Sequence, residues 1–85
     1  MNTMDTGNLL DHVPVGGRVR LVGIDLDPAE SQRLMEMGLI RGTEIQVRRR
    51  APLGYPVEIE ARGSRLSLRR DVVRSLRVET IQRAG

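Results

Sequence analysis

The chain is 85 residues long, which allows one domain, and it contains no cysteine, phenylalanine or tryptophan. The lack of cysteine excludes disulfide bonds, thiolate zinc sites, iron–sulfur clusters and a cysteine nucleophile, and it favours a reducing, cytoplasmic location. All 14 basic residues are arginine; residues 1–40 carry three of them with six acids, whereas residues 41–85 carry eleven with five acids. The C-terminal half is therefore predicted to present a basic surface.

The N-terminal segment is predicted to lead into a first strand. Residues 1–8 are polar, do not resemble a secretory signal, and are interpreted as a flexible extension. Leu10 and Val13 are three residues apart, as the apolar edge of one helical turn requires, before Pro14 interrupts the turn. In residues 18–24 aliphatic and basic side chains alternate, which predicts a half-buried strand.

A helix with clear start and stop signals follows this strand. Asp27 can accept hydrogen bonds from the first helical amides, and the proline after it suits the first helical position. The helix is predicted to run to about Met37. Gly38 can adopt the left-handed conformation just past the helix, which would let Leu39 pack back on Leu34 in a Schellman ending.

Four further strands are predicted in the rest of the chain, because aliphatic and polar side chains alternate in residues 43–48, 57–61, 65–69 and 76–79. A turn at 51–54, with proline second and glycine fourth, joins the first two of these strands as a hairpin. One helical turn is predicted before the last strand.

These elements predict a mainly β fold, a small SH3-like, partly open barrel of about five strands with one inserted α-helix and short helical turns. The connections are too short for the crossovers of a parallel sheet. The barrel is assigned to residues 9–81 and a flexible tail to 82–85. Truncation of Ile59 or Leu66 to alanine is expected to cost about 2–5 kcal/mol. The inward-facing residues are Val19, Leu21, Leu34, Leu39, Ile45, Val47, Val57, Ile59, Leu66, Leu68, Leu76 and Val78.

The sequence predicts no catalytic, cofactor or metal site. His12 is the only histidine and has no second ligand at helical or strand spacing, so it is interpreted as an exposed or helix-capping side chain. The segment around Asp25 and Asp27 lacks the glycine and the distant glutamate of a calcium loop, so Asp25 is interpreted as a solvated loop residue and Asp27 as a helix cap. Met35 and Met37 are interpreted as adaptable packing or an exposed binding surface. We therefore expect no enzyme activity.

The arginines of the C-terminal half leave three interpretations open. They could form solvated pairs with neighbouring glutamates, recognise an acidic protein surface, or follow a phosphate backbone. The chain lacks the aromatic side chains on which single-stranded bases stack, so nucleic acid is not the expected partner. A nucleic-acid-binding barrel would use Arg48, Arg49, Arg50, Arg69 and Arg70.

Three motifs together resemble the FeoA family of bacterial ferrous iron transport proteins. They are M-G-L-x-x-G-T at residues 37–43, A-P-L-G-x-P at 51–56 and L-x-L-R-R at 66–70. The resemblance implies an SH3-like fold and a role beside the FeoB permease, whose cytosolic GTPase region is the expected partner. A related domain forms the C-terminal part of iron-dependent repressors of the diphtheria-toxin-repressor type. This chain lacks their helix-turn-helix and metal ligands, so a regulatory barrel of that kind is the alternative.

The resemblance implies a location peripheral to the inner membrane, through the permease. No segment approaches the ~20 apolar residues that a spanning helix needs, so direct membrane insertion is not expected. An open barrel edge could also support weak self-association. The candidate partner-binding surface combines the helix end, the hairpin tip and two arginines at the rim: Met35, Met37, Leu39, Pro52, Leu53, Tyr55, Arg69 and Arg70.

Overall fold

The computed structural model describes residues 8–81, and they form one antiparallel sheet with two helices and a short 3₁₀ turn. The strands are hydrogen-bonded in the order β4-β3-β2-β1-β5. The mainly β fold with one principal helix is therefore confirmed. In chain order the elements are the 3₁₀ turn Leu10–His12, β1 Arg18–Ile24, α1 Pro28–Glu36, β2 Glu44–Arg50, β3 Val57–Ala61, β4 Ser64–Leu68, α2 Arg70–Val73 and β5 Leu76–Thr80.

The predicted extension and tail fall mostly outside the described residues. Residues 1–7 and 82–85 are not described, so their flexibility stays a prediction. Asn8, which we assigned to the extension, is described, and its carbonyl accepts a hydrogen bond from Val78 N–H at 2.9 Å. Leu9 forms a β-bridge with Arg77. The start of the described chain therefore runs along the outer edge of β5.

The sheet curves because its register shifts at two places. One shift lies between Leu21 and Gly23 where β1 pairs with β5, and the other between Val47 and Arg49 where β2 pairs with β3. Irregularities of this kind increase the local twist of a strand. The curvature turns one face of the sheet into the wall of a partly open barrel.

One aliphatic cluster fills the barrel, and all the predicted core residues are buried except Leu66, which is only partly buried. Leu66 lies on β4, a strand at the edge of the sheet, so it has a neighbouring strand on one side only. Within residues 8–81, five further hydrophobic residues are buried: Leu10 and Val13, the predicted apolar edge of the first turn, and Ala61, Val72 and Val73, which the prediction did not place in the core.

Helix α1 begins and ends as its sequence predicts. The side chain of Asp27 accepts a hydrogen bond from Glu30 N–H at 2.9 Å. At the other end Leu39 N–H donates to the Leu34 carbonyl and Gly38 N–H to the Met35 carbonyl, both at 3.0 Å. These two bonds are the Schellman pair, and Gly38 has the positive φ of 101° that the motif needs.

Two tight turns join β2 to β3 and β3 to β4. In the first, Gly54 N–H donates to the Ala51 carbonyl at 2.8 Å, which confirms the predicted turn. In the second, Arg62 and Gly63 both have positive φ, as a two-residue type I′ hairpin requires. Among the residues described, none of the helices is long and apolar enough to cross a bilayer.

Candidate functional site

Three exposed apolar side chains lie at or just beyond the C-terminal end of α1. Met35, Met37 and Ile40 are 42%, 46% and 42% exposed, and we call them the helix-end patch. Leu39, which was also predicted for the partner-binding surface, is completely buried in the core and is not available for contact there. The Schellman ending explains both outcomes: it turns Leu39 back onto the helix and leaves the next residue, Ile40, facing outward. The same motif, applied one residue further, would have identified Ile40 from the sequence.

Thr43 fixes the loop that carries this patch. Its hydroxyl donates to the Gly38 carbonyl at 3.2 Å and accepts from Ile40 N–H at 3.3 Å. Its own N–H donates to the Ile40 carbonyl at 3.0 Å. Thr43 is buried, and its two hydroxyl bonds are part-buried, so they satisfy polar groups that have limited access to water. These bonds tie the loop between Gly38 and Thr43 together, and Ile40 remains exposed in it.

A groove lies between one face of α1 and the C-terminal part of β4 with α2. Its floor is apolar and its rim is charged. The volume is about 180 Å³, below the about 300–1,000 Å³ of small-molecule sites, so the groove suits a partner's side chain better than a cofactor. We call it the α1–β4 groove, lined by Glu30, Arg33, Leu34, Met37, Ser67, Leu68, Arg69 and Val72.

The groove contains two of the predicted site residues, Met37 and Arg69. Arg69 bridges the elements, because its guanidinium contacts Glu30 of α1 at 3.1 Å and Asp71 of α2 at 2.7 Å. The hydrogen bond from Arg69 lowers the pKa of Asp71 from its ordinary value. Arg33 lines the same groove and has no acidic partner within 4.0 Å in the described part of the chain. Sequence reasoning missed Arg33, although it precedes Met37 by one helical turn.

The hairpin tip does not join this surface. Leu53 is 95% exposed and Pro52 is exposed, as predicted for a contact surface. The tip, however, follows the end of β2, whereas the loop with the helix-end patch precedes its start. A seven-residue strand is about 20 Å long. The structure therefore separates the two halves of the predicted surface.

Tyr55 has a structural role in the hairpin loop. Its ring packs against the core, and its hydroxyl donates to Asp11 Oδ1 at 2.6 Å. Arg50 reaches the same aspartate, with Nη2 donating to the backbone carbonyl at 2.7 Å and Nη1 to Oδ1 at 3.3 Å. Burial would raise the pKa of Asp11, but these hydrogen bonds and the Arg50 charge outweigh it and lower the pKa.

The predicted basic surface is largely neutralised by neighbouring acids. On the outer face of the sheet Arg48 lies 3.7 Å from Glu60, and Arg49 lies 3.6 Å from Glu58. Acids of the N-terminal half also pair with arginines of the C-terminal half, at Asp11–Arg50, Glu30–Arg69 and Asp25–Arg77. Four of the five arginines proposed for phosphate contacts are thus paired; Arg70, on α2, is exposed and has no acid within 4.0 Å among residues 8–81.

The side chains considered as metal ligands have other roles. Asp25 holds Arg77 through two hydrogen bonds of 2.8 and 3.2 Å, and Asp27 caps α1. His12 is exposed. Within residues 8–81, no three histidine, cysteine or acidic side chains come close enough together to hold a metal ion.

A five-stranded, partly open barrel with a groove beside its helix is the architecture of a small SH3-like domain. The chain matches the FeoA domain over residues 8–80. It belongs to the FeoA family, whose members are linked to ferrous iron transport.

Solved structures agree with this assignment. The FeoA protein from Chlorobium tepidum is 33% identical with a TM-score of 0.84, covering 88% of this chain and 71% of that one. The FeoA-like protein from Clostridium acetobutylicum is 33% identical with a TM-score of 0.82, covering 96% and 95%. FeoA from Stenotrophomonas maltophilia, a prokaryotic SH3 domain protein solved with zinc, is 21% identical with a TM-score of 0.75, covering 86% and 91%, and supports the fold alone.

Proposed function

We propose that this protein is a non-catalytic accessory component of bacterial ferrous iron uptake that binds the cytosolic part of a FeoB-type permease. It acts in the cytoplasm and reaches the inner membrane through that partner. The observation that carries the proposal is the helix-end patch beside the α1–β4 groove, on a chain that belongs to the FeoA family.

The chemistry of this surface supports a protein partner. Exposed methionines adapt their flexible side chains to different apolar partners, and Met37 belongs to both the patch and the groove. Around this apolar centre lie Arg33 and Arg69. An apolar centre with a polar rim is typical of protein interfaces, in which a few central side chains provide most of the affinity.

Isothermal titration calorimetry with the recombinant cytosolic region of the same organism's FeoB-type permease tests the proposal. We expect Met37→Asp to weaken binding about tenfold or more, since it places a charge at the centre of the interface. Val15→Asp is the matched control, because Val15 is 57% exposed but lies outside the patch and the groove. It should change the affinity by no more than about twofold.

The outcomes separate the candidate surfaces. Circular dichroism first establishes that each variant is folded. Equal affinity of folded Met37→Asp and wild type would remove the groove from the interface. A loss of binding in Leu53→Asp alone would place the interface at the hairpin tip, and no binding by the wild type would contradict the proposed partner.

A further inference from the structure

In the described part of the chain, one edge of the sheet is paired with another segment and the other edge is uncovered. The outer edge of β5 is covered, because the Asn8 carbonyl accepts from Val78 N–H and Leu9 bridges Arg77. The other edge is β4, which within residues 8–81 pairs only with β3. An uncovered edge strand offers a row of backbone donors and acceptors to another chain.

The register of the β3–β4 hairpin identifies the free backbone groups. Ala61 pairs with Ser64 across the two-residue turn, and Ile59 pairs with Leu66. In a two-residue hairpin the closing pair is hydrogen-bonded, and the pairs then alternate. The N–H and C=O groups of Arg65 and Ser67 therefore point away from β3. Within residues 8–81, neither residue forms a backbone hydrogen bond with another element.

This free edge borders the α1–β4 groove. Ser67, Leu68 and Arg69 form one wall of the groove, and α1 forms the other with Arg33, Leu34 and Met37. A peptide strand added to β4 would thus lie between an edge strand and a helix. Its alternate side chains would point into the groove, onto Leu34 and Leu68, as in recognition by strand addition.

The charges around the groove select the chemistry of that strand. Arg33 lies in the groove without an acidic partner among the described residues. Arg62 lies next to the end of α1, because a β-carbon added to Gly38 would be 3.1 Å from Arg62 Cδ. Within residues 8–81, Arg62 has no acid within 4.0 Å. Glu30 is the only acid of the groove lining, and Arg69 pairs both with it and with Asp71, which leaves Arg33 and Arg62 as the unpaired charges in the part of the chain that the structure describes. The surplus charge is positive and favours an acidic segment.

We propose that β4 binds an extended segment of its partner, with alternating aliphatic and acidic residues, as a sixth strand of the sheet. This inference rests on the proposed function, since the segment belongs to the cytosolic region of the permease. The backbone groups of Arg65 and Ser67 provide the hydrogen bonds, the groove floor takes the aliphatic side chains, and the arginines contact the acids.

Amide hydrogen exchange followed by NMR tests the inference on the intact chain. Saturation with the permease's cytosolic region should slow exchange at the Arg65 and Ser67 amides by about tenfold or more, because each gains a backbone acceptor. Binding without slower exchange at these two amides would overturn strand addition and leave the proposed function standing. No binding would overturn both. Protection that grows with protein concentration before the permease is added would assign the edge to a second copy of this chain.

Proline substitution provides an independent test. Ser67→Pro removes the outward N–H without removing a bond to β3. Edge strands tolerate proline at positions of this kind. We expect it to weaken permease binding about tenfold, whereas Ser67→Ala, which keeps the N–H, should stay within about twofold. If Ser67→Pro does not fold, Arg65→Pro with Arg65→Ala repeats the comparison. Equal affinity of a folded proline variant and its alanine control would contradict the inference.

Discussion

Asp11 connects the first turn of the chain to the loop between β2 and β3. Its carboxylate accepts from Tyr55 and Arg50, and its backbone carbonyl accepts from Arg50 as well. The side chains of Arg50 and Asp11 are only 26% and 18% exposed, so this pair is less screened by water than the other ion pairs of the sheet. The hairpin loop therefore depends on the charge of one aspartate.

This charge predicts a pH dependence of stability. The pKa of Asp11 in the folded protein is lowered, so the folded state binds its proton less readily than the unfolded state does. The stabilisation is present above the unfolded pKa of about 3.9 and is lost as the pH falls through the lower folded pKa. Urea unfolding from pH 6 down to about pH 2 should show a smaller decrease in unfolding free energy for Asp11→Asn than for wild type. Parallel curves for the two proteins would contradict this role.

At the scale of elements, the end of α1 determines which side chains reach the surface. Gly38 has a φ of 101°, and a β-carbon there would lie 3.1 Å from Arg62 Cδ. Gly38→Ala should therefore lower the unfolding free energy by about 1–2 kcal/mol. Gly38→Asn is the control and should cost less, because asparagine adopts the left-handed conformation more readily. Equal stability of Gly38→Ala and wild type in thermal unfolding would show that the loop accommodates a β-carbon without strain, and would contradict this role of Gly38.

The same element shows how far local sequence determines structure. Asp27, Gly38 and the motif around them predict both ends of α1, because capping depends on residues within one turn. The motif also places Leu39 inside, yet the loop position led us to assign it to the surface as well. Ile40 was missed because the motif was not followed one residue beyond Leu39, to the first side chain that it leaves facing out.

At the scale of the whole molecule, long-range contacts account for the remaining differences. Tyr55 and Asp11 are 44 residues apart, and no local pattern predicts that they meet. The basic C-terminal half is a real feature of the sequence, but the strand register places glutamates beside Arg48 and Arg49. The groove likewise arises only when α1 and β4 are brought side by side.

The core provides a quantitative prediction at this scale. Ile59 is completely buried in the central part of the sheet, whereas Leu66 on the edge strand is only partly buried. Ile59→Ala should cost about 2–5 kcal/mol. Leu66→Ala should cost less than Ile59→Ala, although the sequence alone predicts the same range for both substitutions. Chemical denaturation of both variants checks the order, and a larger loss for Leu66→Ala would contradict the placement of β4 at the edge.

NMR chemical-shift mapping shows which face of the protein meets its partner. The ¹⁵N-labelled chain is titrated with the unlabelled cytosolic region of the FeoB-type permease. We predict that the largest amide shifts and line broadening occur in residues 33–40 and 64–69, on both walls of the groove and at the helix-end patch. Shifts confined to the hairpin at 51–56, or to the outer face of β1 and β5, would contradict this interface.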